Sequence, residues 1–115
     1  MVNEVDRVFL ALSDPTRRRV VDMLRRGPRR AGELAASFRV SAPAMSRHLR
    51  VLRRCGLIEE DRARSMDDDA RVRMYRLRRE PFVGLRSWLD EVDSFWTDQL
   101  AAFKSHAERG TGSKR

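Results

Sequence analysis

The stretch Val40-Ser41-Ala42-Pro43-Ala44-Met45-Ser46-Arg47-His48-Leu49-Arg50-Val51-Leu52-Arg53-Arg54-Cys55-Gly56-Leu57-Ile58 decides the fold of this chain. The Ser41 hydroxyl can cap a helix, Pro43 is tolerated in a first turn whose N–H groups have no partner, and Gly56 can take the left-handed conformation that stops the helix. These signals predict a helix of about four turns, from near Ala42 to near Cys55. Along it Met45, Leu49 and Leu52 recur at i, i+4 and i+7 as one apolar stripe, while Pro43, Ser46, Arg47, Arg50 and Arg54 fall on the opposite side. One face packs; the other is small, hydroxylated and cationic. Such a helix suits a DNA major groove, where small residues let the backbone approach base edges and an arginine can fork onto guanine. The same residues also describe a solvated amphipathic surface helix, and the neighbouring segments decide between the two.

Immediately upstream, Gly32 to Phe38 predicts a short helix with Leu34 and Phe38 one turn apart facing the core, separated from the central helix only by Arg39, Val40 and Ser41. Two short helices joined by so tight a turn form a helix-turn-helix, whose second helix reads DNA. Further upstream Asn3 caps a first helix with Val5, Val8, Phe9 and Leu12 on one face. Asp14 caps a second, with Pro15 at its first position and Val20, Val21 and Leu24 inward until Gly27-Pro28. Arg17, Arg18 and Arg19 near the start of that helix oppose its dipole, which fits a solvated face or an anionic partner. Arg29 to Ala31 read as a short extended segment.

Downstream of Gly56 the pattern becomes extended. Leu57 to Arg62 and Val72 to Arg78, joined by the polar Ser65-Met66-Asp67-Asp68-Asp69, predict a two-stranded β-hairpin bearing Arg62, Arg64, Arg71, Arg73, Arg76 and Arg78. A hairpin beside a helix-turn-helix is a wing, which lays basic side chains on phosphates or in the minor groove. Alternation in the second strand is imperfect, since Val72, Met74, Tyr75 and Leu77 do not share a face. The acidic tip would be repelled by DNA, so the strand arginines are the expected contacts. Pro81 then opens a last helix to about Ala107, roughly 40 Å long. Its Phe82, Leu85, Leu89, Val92, Trp96 and Phe103 keep a 3-4 spacing, with Gln99 and His106 in the remaining seam positions and Trp88 and Phe95 widening the stripe. Packing against a second subunit around a two-fold axis is the expected use, with Val5 and Phe9 of the first helix joining the interface; folding back on its own core is the alternative.

At 115 residues the chain is long enough for one modest core. The expected architecture is mainly α with a small β-hairpin: five helices in a winged helix-turn-helix domain spanning residues 1–107, then a disordered tail at 108–115. A net charge of +8 and an isoelectric point of about 11.2 draw such a chain to polyanions. Of the 25 basic residues only Lys104 and Lys114 are lysine, a bias that favours forked phosphate and guanine contacts and that genome base composition also produces. No apolar run approaches the roughly 20 residues of a membrane span, and the N-terminus lacks a signal-peptide pattern. The single Cys55 excludes an intrachain disulfide and a cysteine metal cluster, so a reduced, cytoplasmic protein is expected. No catalytic constellation or Gly-rich phosphate loop stands at usable spacing, and neither enzyme activity nor a cofactor is expected.

The order of elements and several short motifs resemble the ArsR/SmtB family of bacterial winged-helix repressors. The resemblance rests on Leu10-Ala11-Leu12-Ser13-Asp14-Pro15-Thr16-Arg17, Glu33-Leu34-Ala35, Val40-Ser41 with Pro43, Ser46-Arg47-His48-Leu49 with Leu52, Gly56-Leu57-Ile58 and Arg76-Leu77, and covers about residues 3 to 105. It implies a homodimer that binds a partly palindromic operator in double-stranded DNA, represses transcription and is released by a signal. It also implies that Ser41, Ala42, Pro43, Ser46, Arg47 and His48 lie at the DNA. The family most often has glutamine where this chain has Ala42, so specificity is expected to lean on Ser46, Arg47, Arg50 and DNA shape, with Arg54 and the wing's Arg62, Arg64, Arg71 and Arg73 on the flanks. Metal-sensing members carry Cys-x-Cys in the third helix, where this chain reads Glu33-Leu34-Ala35-Ala36-Ser37. Another family site, on the last helix, falls here on Asp93, Phe95, His106 and Arg109, half of the ligands a metal needs. No metal is therefore expected. An unidentified small-molecule effector, an anion, a partner protein or no ligand each fits the signal. His48 is read as a phosphate donor or as a packing group, and Cys55 as a small core residue or a thiol switch. The rivals to a repressor are a sequence-tolerant architectural DNA binder and a module gripping an acidic protein.

Overall fold

The computed structural model describes residues 2–64 and 72–112. The order of elements is α1 (Glu4–Leu12), α2 (Pro15–Leu24), β1 (Arg29–Arg30), α3 (Ala31–Phe38), α4 (Ala42–Arg54), β2 (Ile58–Glu60), β3 (Met74–Leu77) and α5 (Glu80–Gly112). All five expected helices are present. The chain divides after Gly84 into two compact units. From Leu85 to Gly112 the chain is helix, whose contacts are local by nature. The helix also continues to Gly112, past the Ala107 at which the sequence signals end it.

In the unit up to Gly84, side-chain caps mark the starts of α1, α2 and α4. The Asn3 side chain accepts from the Asp6 N–H while the Asp6 carboxylate accepts from the Asn3 N–H, and Asp14 and Ser41 accept from the N–H groups of Arg17 and Ala44. The core is Val8 and Ala11 of α1, Val20 and Leu24 of α2, Leu34 of α3, Met45, Leu49 and Leu52 of α4, then Leu57, Ile58 and Tyr75. Helix α4 buries the stripe that its spacing predicts, against α2, α3 and β2.

One feature of the sheet differs from expectation. The expected hairpin is present and gains a third strand: β3 pairs antiparallel with β2 (Ile58↔Leu77, Glu59↔Arg76, Glu60↔Tyr75) and also with β1 (Arg29↔Tyr75, Arg30↔Met74). Because β3 is the central strand, Tyr75 is buried and Arg76 exposed, while Met74 and Leu77 are both half-buried. Met74 and Leu77, three residues apart and so on opposite faces, are both partly covered, which is why alternation along this strand is blurred. The tip Ser65–Asp69 and Arg71 lie outside the described residues.

Helices α3 and α4 end in the same way with different residues. Past α4, Gly56 sits at φ 82°, its N–H donating to the Arg53 carbonyl and the Leu57 N–H to the Leu52 carbonyl. Past α3 the left-handed residue is Arg39, at φ 55°, with Arg39 N–H on Ala36 O and Val40 N–H on Ala35 O. An L-residue with a Cβ pays about 1 kcal/mol for that conformation, and glycine does not. Arg39→Gly is accordingly expected to raise stability by up to about 1 kcal/mol, read as a higher urea midpoint at unchanged slope. A lower midpoint would mean that the Arg39 side chain contributes more than its backbone costs.

Candidate nucleic-acid interface

The outer face of α4 is assembled by the packing of its inner one. With Met45, Leu49 and Leu52 buried, the exposed residues include Ser41, Ala42, Pro43, Ser46, Arg47, Arg50, Arg53 and Arg54. The Ser41 oxygen accepts from Ala44 N–H at 3.2 Å, and its own proton remains for an acceptor outside the chain. The first turn of α4 holds no acidic residue and its last turn holds Arg53 and Arg54. Among the described residues no carboxylate pairs with Arg47, Arg50, Arg53, Arg54 or Arg73.

Several arginines elsewhere are committed within the chain. Arg17 Nε donates to Ala11 O at 2.7 Å and Nη2 to Leu10 O at 3.3 Å, while Arg18 Nη1 donates to Leu12 O at 2.8 Å. They therefore neutralise the orphan carbonyls ending α1, and this offsets their unfavourable place at the start of α2. Neither sequence reading of that run, a solvated face or an anionic partner, includes this role. Arg19 lies over the Phe38 ring at 4.7 Å, joining α2 to α3. In the wing, Arg76 donates to Glu59 at 2.9 Å, Arg78 donates to Gly56 O at 3.0 Å and lies 3.9 Å from both Glu59 and Glu80, and Arg64 lies 3.6 Å from Asp61. Of the wing arginines expected at DNA, Arg64 is thus paired and Arg62 lies beside Glu59 and Glu60 around a shallow concavity. Arg73 faces α4, bordering a groove of about 610 Å³ with Ser46, Arg50, Arg53, Arg54 and Tyr75.

His48 is the half-buried member of the α4 motif. Its Nδ1 lies 3.5 Å from Arg17 Nη1 and 3.8 Å from Asp14 Oδ2. An arginine only donates, so in the neutral ring Nδ1 accepts from Arg17 and the ring proton rests on Nε2. This inward tie corresponds to the packing role, and it leaves Nε2–H as the nitrogen a phosphate would use. The Arg17 backbone N–H on its oxygen, with the His48 ring when it is protonated and the nearby Arg17 charge, holds the Asp14 carboxyl below the usual carboxylate range despite partial burial. Sequence reasoning missed this three-residue link between the α1–α2 corner and α4, because its members are far apart in the chain. It also missed Arg53, although Ser46, Arg50 and Arg53 follow a 4-3 spacing that could have found it. Cys55 is buried and reads as a core residue.

On α5 the expected interface residues share one arc. Leu85 is half-buried, and Leu89, Val92, Phe95, Trp96, Gln99 and Phe103 are exposed, with Trp96 at 59% and Phe103 at 73%. Trp88 is exposed at 41% and Phe95 meets Trp96 edge to face at 5.6 Å. Val5 is half-buried and Phe9 exposed on α1. Among the described residues no three His, Cys, Asp or Glu side chains gather as metal ligands, and no helix is long and apolar enough to cross a membrane.

Four helices ending in the exposed basic α4, with a small antiparallel sheet formed by β1, β2 and β3, define a winged helix-turn-helix DNA-binding protein. The comparisons agree. A family model described as bacterial regulatory protein, arsR family, matches residues 14–60. The chain is 39% identical over 98 residues to the HTH-type transcriptional regulator Rv2034 of Mycobacterium tuberculosis, spanning 85% of this chain and 83% of that one. It is 41% identical over 58 residues to the transcriptional repressor SdpR of Bacillus subtilis, 50% and 64% of the two chains. Among solved structures, an ArsR-like transcriptional regulator from Rhodococcus sp. RHA1 matches with a TM-score of 0.72 and 33% identity over 91% of each chain. A homodimeric winged helix-turn-helix DNA-binding domain from Mycobacterium bovis matches with a TM-score of 0.58 and 25% identity over 84% of this chain and 83% of its own. The chain belongs to the ArsR family of bacterial transcriptional regulators.

Proposed function

We propose that the protein is a homodimeric repressor that binds a partly palindromic operator through α4 and the wing. The observation that carries this reading is the outer face of α4, where Arg47, Arg50 and Arg54 stand exposed with no carboxylate partner among the described residues while the arginines of α2 and the wing's Arg64, Arg76 and Arg78 are matched within the chain. Ser46, Arg47 and Arg50 read bases, Ser41 and His48 bind phosphates, Ala42 and Pro43 allow close approach, and Arg54, Arg62, Arg64 and Arg73, with Arg71 outside the described residues, flank the site. Two copies joined through the apolar arc of α5 present two recognition helices, which calls for half-sites about one helical turn, roughly 34–36 Å, apart or a multiple of it. The homodimeric M. bovis domain supports that assembly. The releasing signal is not a metal: α3 has no thiol, and Phe95 and Arg109 occupy two of the four positions of the last-helix site.

Sequencing of genomic fragments retained by the protein at about 150 mM salt, where non-specific phosphate binding is weakened, tests this reading. A few paired half-sites support it, and even recovery across the genome would hand the role to a sequence-tolerant architectural binder. On a recovered operator, Arg47→Ala is expected to cost about 1–3 kcal/mol and relax discrimination at one position. Equal loss on every sequence would make Arg47 a phosphate contact.

A further inference from the structure

The groove between α4 and β3 has a property that the base-reading face of α4 does not explain. Four guanidinium groups, those of Arg50, Arg53, Arg54 and Arg73, border it, and no carboxylate does. A second concavity, about 420 Å³ around Gly56, mixes Arg53, Arg62 and Arg78 with Glu59 and Glu60 and is internally compensated. Four like charges around one concavity repel one another and are relieved by an anion seated among them.

Two of the four are held in place from different elements. Arg53, on the last turn of α4, lies over the Tyr75 ring at 5.8 Å, and Tyr75 is fixed by burial at the centre of the sheet between Arg29 and Glu60. A stacked guanidinium keeps its forked donors while losing less freedom on binding. Arg73 precedes β3, and its carbonyl accepts the Ala31 N–H at 3.1 Å, which fixes the backbone from which its side chain extends. Ser46 adds a hydroxyl at the same rim.

We propose that this groove is a phosphate seat for the DNA backbone, with Arg53 and Arg73 as its two principal ligands. Guanidinium forks match phosphate oxygens in pairs. The groove adjoins Ser46 and Arg50 on the recognition helix, so a strand whose bases meet those residues carries a phosphate past it. The seat fixes the depth and register of α4 and carries no sequence information itself. This inference rests on the DNA-binding reading above and adds Arg53 and Tyr75 to it.

The test is operator affinity of the full-length protein across a salt series, for the wild type, Arg53→Gln, Arg73→Gln and, as a control outside the groove, Arg76→Gln. Each groove variant is expected to lower the slope of log affinity against log salt by about 1, weakening operator and unrelated duplex alike, while Arg76→Gln leaves the slope unchanged. Arg53→Lys, which keeps the charge on the same helix turn, is expected to retain the slope, and thermal melting confirms that each variant is folded. Unchanged slopes for both groove variants, with the wild type still selecting its operator, would overturn the seat and leave the DNA-binding reading standing. A wild type that selects no duplex would overturn both. A free phosphate compound is the other source of this chemistry. If inorganic phosphate, added at constant ionic strength, saturates the Arg53 and Arg73 side-chain NMR signals below millimolar concentration, the site serves a small ligand and the backbone assignment fails.

Discussion

Leu52→Ala is expected to cost about 2–5 kcal/mol, a large share of the roughly 5–15 kcal/mol that holds a domain of this size together. The Leu52 side chain is wholly buried on the inner face of α4, and its carbonyl accepts the Leu57 N–H that closes the helix. Deleting three carbons there loses their transfer from water and leaves a cavity, since α2, α3 and β2, against which α4 packs, are separate elements that cannot all collapse inward. Urea unfolding should show a lower midpoint with little change in slope, and DNA affinity should fall only as far as the folded fraction falls. A cost below about 1 kcal/mol would show that α4 can settle into the space, and that its position is set by its ends rather than by its core face.

Trp96→Ala is expected to weaken the proposed dimer by about 2–4 kcal/mol, about 30- to 1000-fold in dissociation constant, a range normal for an aromatic anchor near the centre of an interface. Trp96 is 59% exposed and braced edge to face by Phe95, within an arc shared with Leu89, Val92 and Phe103. So much aromatic area on one side of a helix of 33 residues, about 50 Å long, is costly to leave in water. Sedimentation at micromolar concentration should move from dimer toward monomer. Affinity for a paired half-site should drop further than affinity for a single half-site, because only the former needs both copies. Sedimentation identical to wild type would remove α5 from the interface.

Much of the fold could be read before any coordinates, because its signals are local. Asn3, Asp14 and Ser41 name three helix starts, Gly56 names an end, and the spacing of Met45, Leu49 and Leu52 names the buried side of α4. What could not be read depends on residues distant in sequence. Pairing of β1 with β3 joins Arg29 to Tyr75, and the extended segment legible at Arg29 to Ala31 carries nothing that names its partner strand. Arg39 in a left-handed turn carries no glycine to betray it. Arginine as a residue type says nothing about whether its charge is spent: Arg17, Arg64, Arg76 and Arg78 differ from Arg50, Arg54 and Arg73 only in what the fold brings beside them. The α4 face was legible from periodicity, and the division between paired and unpaired arginines was not.

The hydrogen bonds from Arg17 and Arg18 to the last carbonyls of α1 bear on how the protein moves. Bending the α1–α2 corner would break the arginine bonds to the Leu10, Ala11 and Leu12 carbonyls together, at about 1 kcal/mol or more for each charge-assisted bond. Two helices coupled in this way turn as one lever rather than flex at their joint. The same guanidinium that stiffens the lever reaches His48 on α4. Amides at the corner should accordingly exchange with solvent in a common opening event shared by α1, α2 and the start of α4, on a slower clock than the fraying expected of a free helix end.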